Sequence, residues 1–407
     1  MLIRSPKLLA AVACAAGMMF ATLSTAQAQR PTYRNISHRT ASHGHGYGHD
    51  CPCPCPEEGV AADPDQVPTP SPEGGEDLPE IADLSGDTSF ASAPQSAVPN
   101  AIGDSMGGCF TFVESFPTNV ASACPGGGRT FRISENNSAL PQHRVYYNYH
   151  YFNNAIRVGD ANDSPRIDIQ RHELGFEVPF WCNMASFGLE VPFSHTVDST
   201  RDFGAGGSLR DVEFGNVSLY LKTVLYQDCC KTVSAGLGID LPTADDIEII
   251  DLAGDDFSLD NDVVTLAPYI AFLRADACSN MFMHGFVQFV LPTDDYDIVA
   301  DGDADQLDGG TYLFVDASIG YWLRQDCCGG VAAIAELHYA ENIEGGDIAS
   351  PGGEEVRSSD FESLNATAGL HFANGCWSVR PAVVLPLLDR PNRAFDWEFA
   401  LQVNRRF

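Results

Sequence analysis

Trp397-Glu398-Phe399-Ala400-Leu401-Gln402-Val403-Asn404-Arg405-Arg406-Phe407 is the stretch whose reading decides the fold. From Trp397 every second residue is large and apolar apart from Arg405, and the residues between are polar or small. A period of two puts the two sets on opposite faces of a strand, one dry and one wet. Such a strand satisfies neither edge alone, so the question is what pairs with it.

The same texture begins at Val145, where Val145, Tyr147, Tyr149 and Tyr151 alternate with Tyr146, Asn148, His150 and Phe152. Comparable runs start near Leu174, Phe187, Val217, Val233, Val264, Met281, Leu313, Val331, Leu364 and Trp377, which with the last strand makes twelve. Short connections recur at Trp181-Cys182-Asn183, Gln227-Asp228-Cys229-Cys230, Asp276-Ala277-Cys278, Gln325-Asp326-Cys327-Cys328 and Asn374-Gly375-Cys376. Long connections lie near 157–167, 194–210, 242–262, 292–310, 341–360 and 387–394. Five short turns and six long loops suit twelve antiparallel strands with both barrel ends on the short-turn side. The expected fold class is therefore all-β: a twelve-stranded antiparallel transmembrane β-barrel behind a mostly disordered leader and a plug or periplasmic segment. The alternative is a soluble β-sandwich or lipocalin-like barrel, which buries the apolar face instead.

Arg4 and Lys7 precede an apolar run from Leu8 to Leu23, and Ala26-Gln27-Ala28 offers a cleavage site, so residues 1–28 read as a secretory signal. The formal net charge of −32 speaks against nucleic-acid binding by phosphate neutralisation. No later stretch holds 18 consecutive apolar residues. Export, alternating strands and a terminal aromatic residue point to the outer membrane. Trp397, Phe399, Leu401, Val403 and Phe407 are then the expected signal for the barrel-assembly machinery, and the lipid bilayer is the expected surroundings. Thirteen cysteines, twelve of them after the signal, suit an oxidising compartment.

Residues 29–100 lack periodicity and hold too few apolar groups to offset ordering entropy, so a disordered leader is expected. Within it His43, His45, His49, Cys51, Cys53 and Cys55 are soft-metal ligands without the spacing of a zinc finger. No metal and no cofactor is assigned on that basis. Residues 101–144 form a separate segment, in which Cys109 to Val113 reads as a short strand. Arg129, Arg132, Glu135, Asn136 and Asn137 lie in the polar run before the first barrel strand, placed to enter the lumen as a plug or to stay in the periplasm. Residues 145–407 are the barrel.

If the apolar face meets lipid, the other face carries Arg171, Glu173, Glu177, Glu190, Lys222, Asp240, His284, Asp316, Glu336, His338, His371, Arg380 and Glu398. A charge facing lipid at mid-membrane costs roughly 2–4 kcal/mol, so their common phase is informative. They line a polar conduit, or they fill a narrow lumen with ion pairs.

His172 to Phe180 (HELGFEVPF), Phe187 to Phe193 (FGLEVPF), Phe214 to Lys222 (FGNVSLYLK) and Ala235 to Thr243 (AGLGIDLPT) stand in order. This set resembles the outer-membrane, transporter-like β-barrel family labelled "MetA-pathway of phenol degradation", over about residues 145–245. Asn216 stands where the family often has Asp. The resemblance implies a channel passing small organic solutes, apolar or aromatic ones included, by passive diffusion and without enzymatic activity. The other reading is a non-conducting surface barrel. Its acidic loops, 245–262 and 294–308, would bind divalent cations or neighbouring molecules. Ser194-His195 does not make a catalytic pair, since strand neighbours point to opposite faces. The turn cysteines are expected to form at least one bridge, to another turn or to Cys109 or Cys124.

Overall fold

The computed structural model describes residues 98–104, 110–113, 120–123, 131–157, 166–195, 200–202, 212–228, 230–250, 256–275, 279–300, 302–326, 329–344, 348–349, 355–358, 362–389 and 393–407. The expected signal, the His/Cys leader and Arg129 lie outside them. Twelve long strands follow one another: β1 Arg144–Arg157, β2 Arg166–Phe180, β3 Ala185–His195, β4 Val217–Gln227, β5 Lys231–Leu241, β6 Thr265–Ala275, β7 Met281–Pro292, β8 Tyr312–Asp326, β9 Gly329–Asn342, β10 Glu362–Asn374, β11 Trp377–Pro386 and β12 Trp397–Arg406. Each pairs antiparallel with its chain neighbours. The opening stretch closes the sheet: β12 pairs with β1 from Trp397↔Asn153 to Arg406↔Arg144. The result is a closed barrel with both ends of the sheet at the short-turn end.

The polarity is inverted relative to a soluble barrel. Leu174, Ile270 and Leu385 are 54 %, 55 % and 50 % exposed on the outside, while Glu173, Lys222 and Gln402 are 0 % exposed on the inside. An apolar exterior around a polar interior is stable only where the exterior meets hydrocarbon. The soluble alternative is thereby overturned. Arg405 sits on the outer face near the short-turn rim, with its guanidinium 5.6 Å from the Trp377 ring and 5.0 Å from the Phe407 ring. At that level a long cationic side chain reaches the interface along an aromatic girdle.

Glycines on the inner wall let aromatic rings lie flat against it. Tyr146 covers Gly175, and Tyr220 covers Gly188; a Cβ at either glycine would fall inside the ring. Gly188→Val is therefore expected to displace Tyr220 and to destabilise the barrel by about 1–3 kcal/mol. Equilibrium unfolding in urea reads this as a lower midpoint, and an unchanged midpoint would count against the packing described.

The turns and loops follow local chemistry. In the β4–β5 turn the Asp228 carboxylate accepts from the Cys230 and Lys231 N–H groups at 2.8 and 2.7 Å and from the Tyr226 hydroxyl at 2.8 Å. Partial burial opposes ionisation, but these donors hold Asp228 below the ordinary carboxylate range. The β2–β3 turn places Trp181, Cys182 and Asn183 in the left-handed region, with φ of 54°, 53° and 64°. Cys182 is an exposed free thiol, whereas Cys376 is disulfide-bonded. Non-reducing mass spectrometry is expected to find Cys376 in a bridge and Cys182 alkylated. A Cys182 bridge would contradict this arrangement.

At the long-loop end, 303–307, 296–300, 256–259, 247–250 and 200–202 pair in that order into a separate five-stranded sheet. Leu259, Ile298 and Leu307 are fully buried beneath it. Most of the described residues of the two acidic loops are thus strand. Among the described residues no loop carboxylates converge at metal-ligand spacing.

Candidate functional site: the filled lumen

All thirteen expected wall residues are buried on the inner face. Strand alternation puts them there, and each long strand contributes at least one of them except β1 and β6. They do not enclose an open conduit: two stretches of the N-terminal region, 98–104 and 131–143, lie against them.

The first stretch rises from the short-turn end. The Val98 carbonyl accepts from Arg406 at 3.4 Å, and the Pro99 carbonyl from His284 Nε2 at 2.8 Å. Arg380 donates to the Asn100 carbonyl at 2.6 Å, and Gln402 to the Ile102 carbonyl at 2.7 Å. Mid-barrel, the two oxygens of Glu336 accept from the backbone N–H groups of Ile102 and Gly103 at 2.9 and 2.8 Å. Asp104 ends the rise, accepting from Asn365 at 2.6 Å near the long-loop end of β10. Residues 110–113 pair antiparallel with 120–123 and with 355–358 of the β9–β10 loop.

The second stretch descends. The Phe131 N–H donates to Asp240 at 3.2 Å near the long-loop end of β5, and Gln288 bonds both the Phe131 carbonyl and the Ile133 N–H. Arg132 bridges Asp104 at 2.7 Å and Asp316 at 3.2 Å. Lower down, Lys222 donates to Asn137 at 2.8 Å, and Asn136 to Asn148 at 2.6 Å. Near the short-turn end the Gln142 N–H reaches Glu177 at 3.1 Å. The two limbs are joined by Ala101 N–H to Asn137 O at 2.8 Å and Asn136 N–H to Ile102 O at 3.1 Å. The N-terminal region is therefore a hairpin threaded through the barrel, and its strands 110–113 and 120–123 join 355–358 and 348–349 in a four-stranded sheet distinct from the five-stranded one.

Burying this much polarity demands nearly complete pairing. Glu177 is one hub, accepting from Arg144 at 3.0 Å, Lys222 at 2.9 Å and Ser186 at 2.7 Å. His338 is another, 2.8 Å from Asp316 and 3.4 Å from Glu336. Glu190 accepts from Tyr146 at 3.1 Å. The Arg171 guanidinium lies 5.7 Å from the Phe152 ring, and His371 packs on the edge of Trp322. Glu173 and Glu398 converge with Glu135 on His150.

No protein-family model matches the sequence, and no curated protein matches it. Solved structures similar to the chain include an outer membrane channel from Pseudomonas putida F1, at 12 % identity over 66 % of this chain and 97 % of that one, with a TM-score of 0.43. The NanC porin is 10 % identical over 65 % of this chain and 98 % of its own, with a TM-score of 0.37. The Ralstonia pickettii toluene transporter TbuX is 9 % identical over 69 % of this chain and 96 % of its own, with a TM-score of 0.34. No residue role follows from such likenesses.

Several lumen residues escape a reading based on charged wall positions. Arg144 sits at the first residue of β1, ahead of the clear alternation, and His150, Asn148, Gln288, Asn365 and Gln402 share the inward phase without a carboxylate or fixed positive charge. Their phase relative to neighbouring apolar residues is the signal that would have found them. The rising limb 98–104 is too short to show any period. The domain boundary expected between 100 and 101 cuts through it.

Proposed function

We propose that this protein is an outer-membrane channel for small organic solutes, held closed by its own N-terminal hairpin and conducting when the hairpin withdraws. The observation that carries this reading is where the wall charges spend their hydrogen bonds. At least seven of the thirteen, Glu177, Lys222, Asp240, His284, Asp316, Glu336 and Arg380, bond the described parts of the hairpin and not only one another. A barrel that needed its ion pairs only for rigidity would close them within the wall. Here withdrawal of one segment leaves a polar, water-compatible passage. Transport is passive, with no catalytic step, and the short turns face the periplasm with the loop sheet outside. The preference for apolar or aromatic solutes rests on the motifs from His172 to Thr243 alone.

Liposome swelling tests this. Vesicles carrying a variant that lacks 98–141 are expected to swell in small sugars, amino acids and aromatic acids, and full-length vesicles to swell far more slowly. Equal impermeability of both, with the variant shown to be inserted, favours the second reading. That reading is a structural surface barrel whose acidic loop sheet binds cations or neighbouring molecules; the tight seating of the hairpin is what favours it.

A further inference from the structure

We propose that Glu135, His150 and Glu173 form a binding site for a divalent transition-metal ion of the zinc class, placed where the hairpin meets the wall. The three are buried, and their ligand atoms all lie within 4.8 Å of one another. His150 Nε2 is 2.8 Å from Glu135 Oε1 and 3.9 Å from Glu173 Oε2. Separations of this order are what two or three donors have when each lies about 2.0–2.2 Å from one ion. One imidazole nitrogen with two carboxylates is a borderline donor set that suits Zn²⁺, Mn²⁺ or Fe²⁺ and not Ca²⁺.

A second observation is independent of the cluster itself. On the far side of the ring, His150 Nδ1 lies 2.6 Å from Glu398 Oε1. With an ion bound, a carboxylate behind the histidine keeps the ring proton on Nδ1 and leaves the Nε2 lone pair for the ion that Glu135 and Glu173 also face. The Asn148 amide orients both of those carboxylates, donating to Glu135 at 3.2 Å and to Glu173 at 3.0 Å. Charge favours an ion as well: three carboxylates surround one imidazole, with Arg171 opposite His150 in the ladder. An imidazolium offsets one of the three, whereas a dication offsets two and leaves the ring neutral. His150 and Glu173 come from β1 and β2, and Glu135 comes from the descending limb. The ion therefore binds only the threaded state and stabilises it by linkage. The site stands whether or not the barrel conducts.

The test is metal content together with hydrogen exchange on full-length protein in detergent, stripped with a chelator and reloaded with Zn²⁺. Elemental analysis is expected to find one equivalent fewer in Glu135→Gln and in His150→Gln than in the wild type. The leader and the loops are the same in all three, so the difference isolates this site. Zn²⁺ is expected to slow exchange in residues 131–143 of the wild type by about a hundredfold when its free concentration is about 100 times Kd, and to leave both variants unchanged. Glu135 is not part of the wall, so Glu135→Gln keeps the barrel even if His150→Gln misfolds. Equal zinc in wild type and Glu135→Gln would overturn the proposal, as would exchange in the wild type that ignores zinc.

Discussion

Glu177→Ala is expected to destabilise the folded barrel by about 3–5 kcal/mol, among the largest effects of any single substitution in this chain. The carboxylate lies in a fully buried site between Arg144 and Lys222, at 3.0 and 2.9 Å, and also accepts from Ser186 and from the Gln142 N–H. Removing it leaves two buried cations facing each other without their shared anion, and at least two donors without an acceptor. Glu177→Gln keeps the shape and some acceptor capacity, so it falls between the two. Equilibrium unfolding in urea, with the heat-modified gel shift as the fold assay, reads the difference. An alanine variant within about 0.5 kcal/mol of the wild type, the ordinary range for an unimportant surface site, would contradict the pairing described.

Glu336→Ala acts on the hairpin more than on the wall. Its two oxygens are the acceptors for Ile102 and Gly103, whose N–H groups lie deep in the lumen. Each buried donor left without a partner costs about 1–3 kcal/mol, and Arg380 cannot substitute, since it only donates. The rising limb should therefore open far more often. Hydrogen exchange in residues 98–104 is expected to quicken by roughly thirtyfold or more, with exchange in β1–β12 little changed. His338 keeps Asp316 at 2.8 Å, which limits damage to the wall itself. Uniform acceleration over all strands would instead mean that Glu336 holds the barrel together, and the hairpin's separate role would fall.

The barrel was largely legible in the sequence because alternation carries two facts at once. In Trp397–Arg406 the same period names the strand and assigns each side chain a face, and the structure places Glu398, Gln402 and Asn404 inside and Phe399, Leu401 and Val403 outside. The cysteine-marked turns fixed the strand count for a similar reason: a short turn leaves no room for anything but a hairpin. What the period does not carry is the partner of an inward charge. Lys222 and Arg380 read only as wall residues, because their bonds to Asn137 and Asn100 cross more than 80 and 270 positions of chain. The threaded path of the hairpin was equally silent. Residues 98–104 owe their place to backbone groups meeting Glu336, Gln402 and Arg380, and backbone groups leave no mark on composition. The strand at Phe110–Val113 was visible as a strand, but its pairing with 355–358 at the far end of the barrel was not.

The most direct test of a channel closed by its own threaded hairpin is a planar-bilayer recording of the full-length protein beside a variant lacking 98–141. The full-length protein is expected to be silent apart from rare, brief openings. The variant is expected to show steady steps with cation selectivity, since Glu173, Glu177, Glu190, Asp240, Asp316, Glu336 and Glu398 outnumber Arg144, Arg171, Lys222, Arg380 and Arg406 on the bared wall. A variant that inserts, keeps its heat-modified gel shift and stays silent would contradict the account, and so would a full-length protein conducting as steadily as the variant.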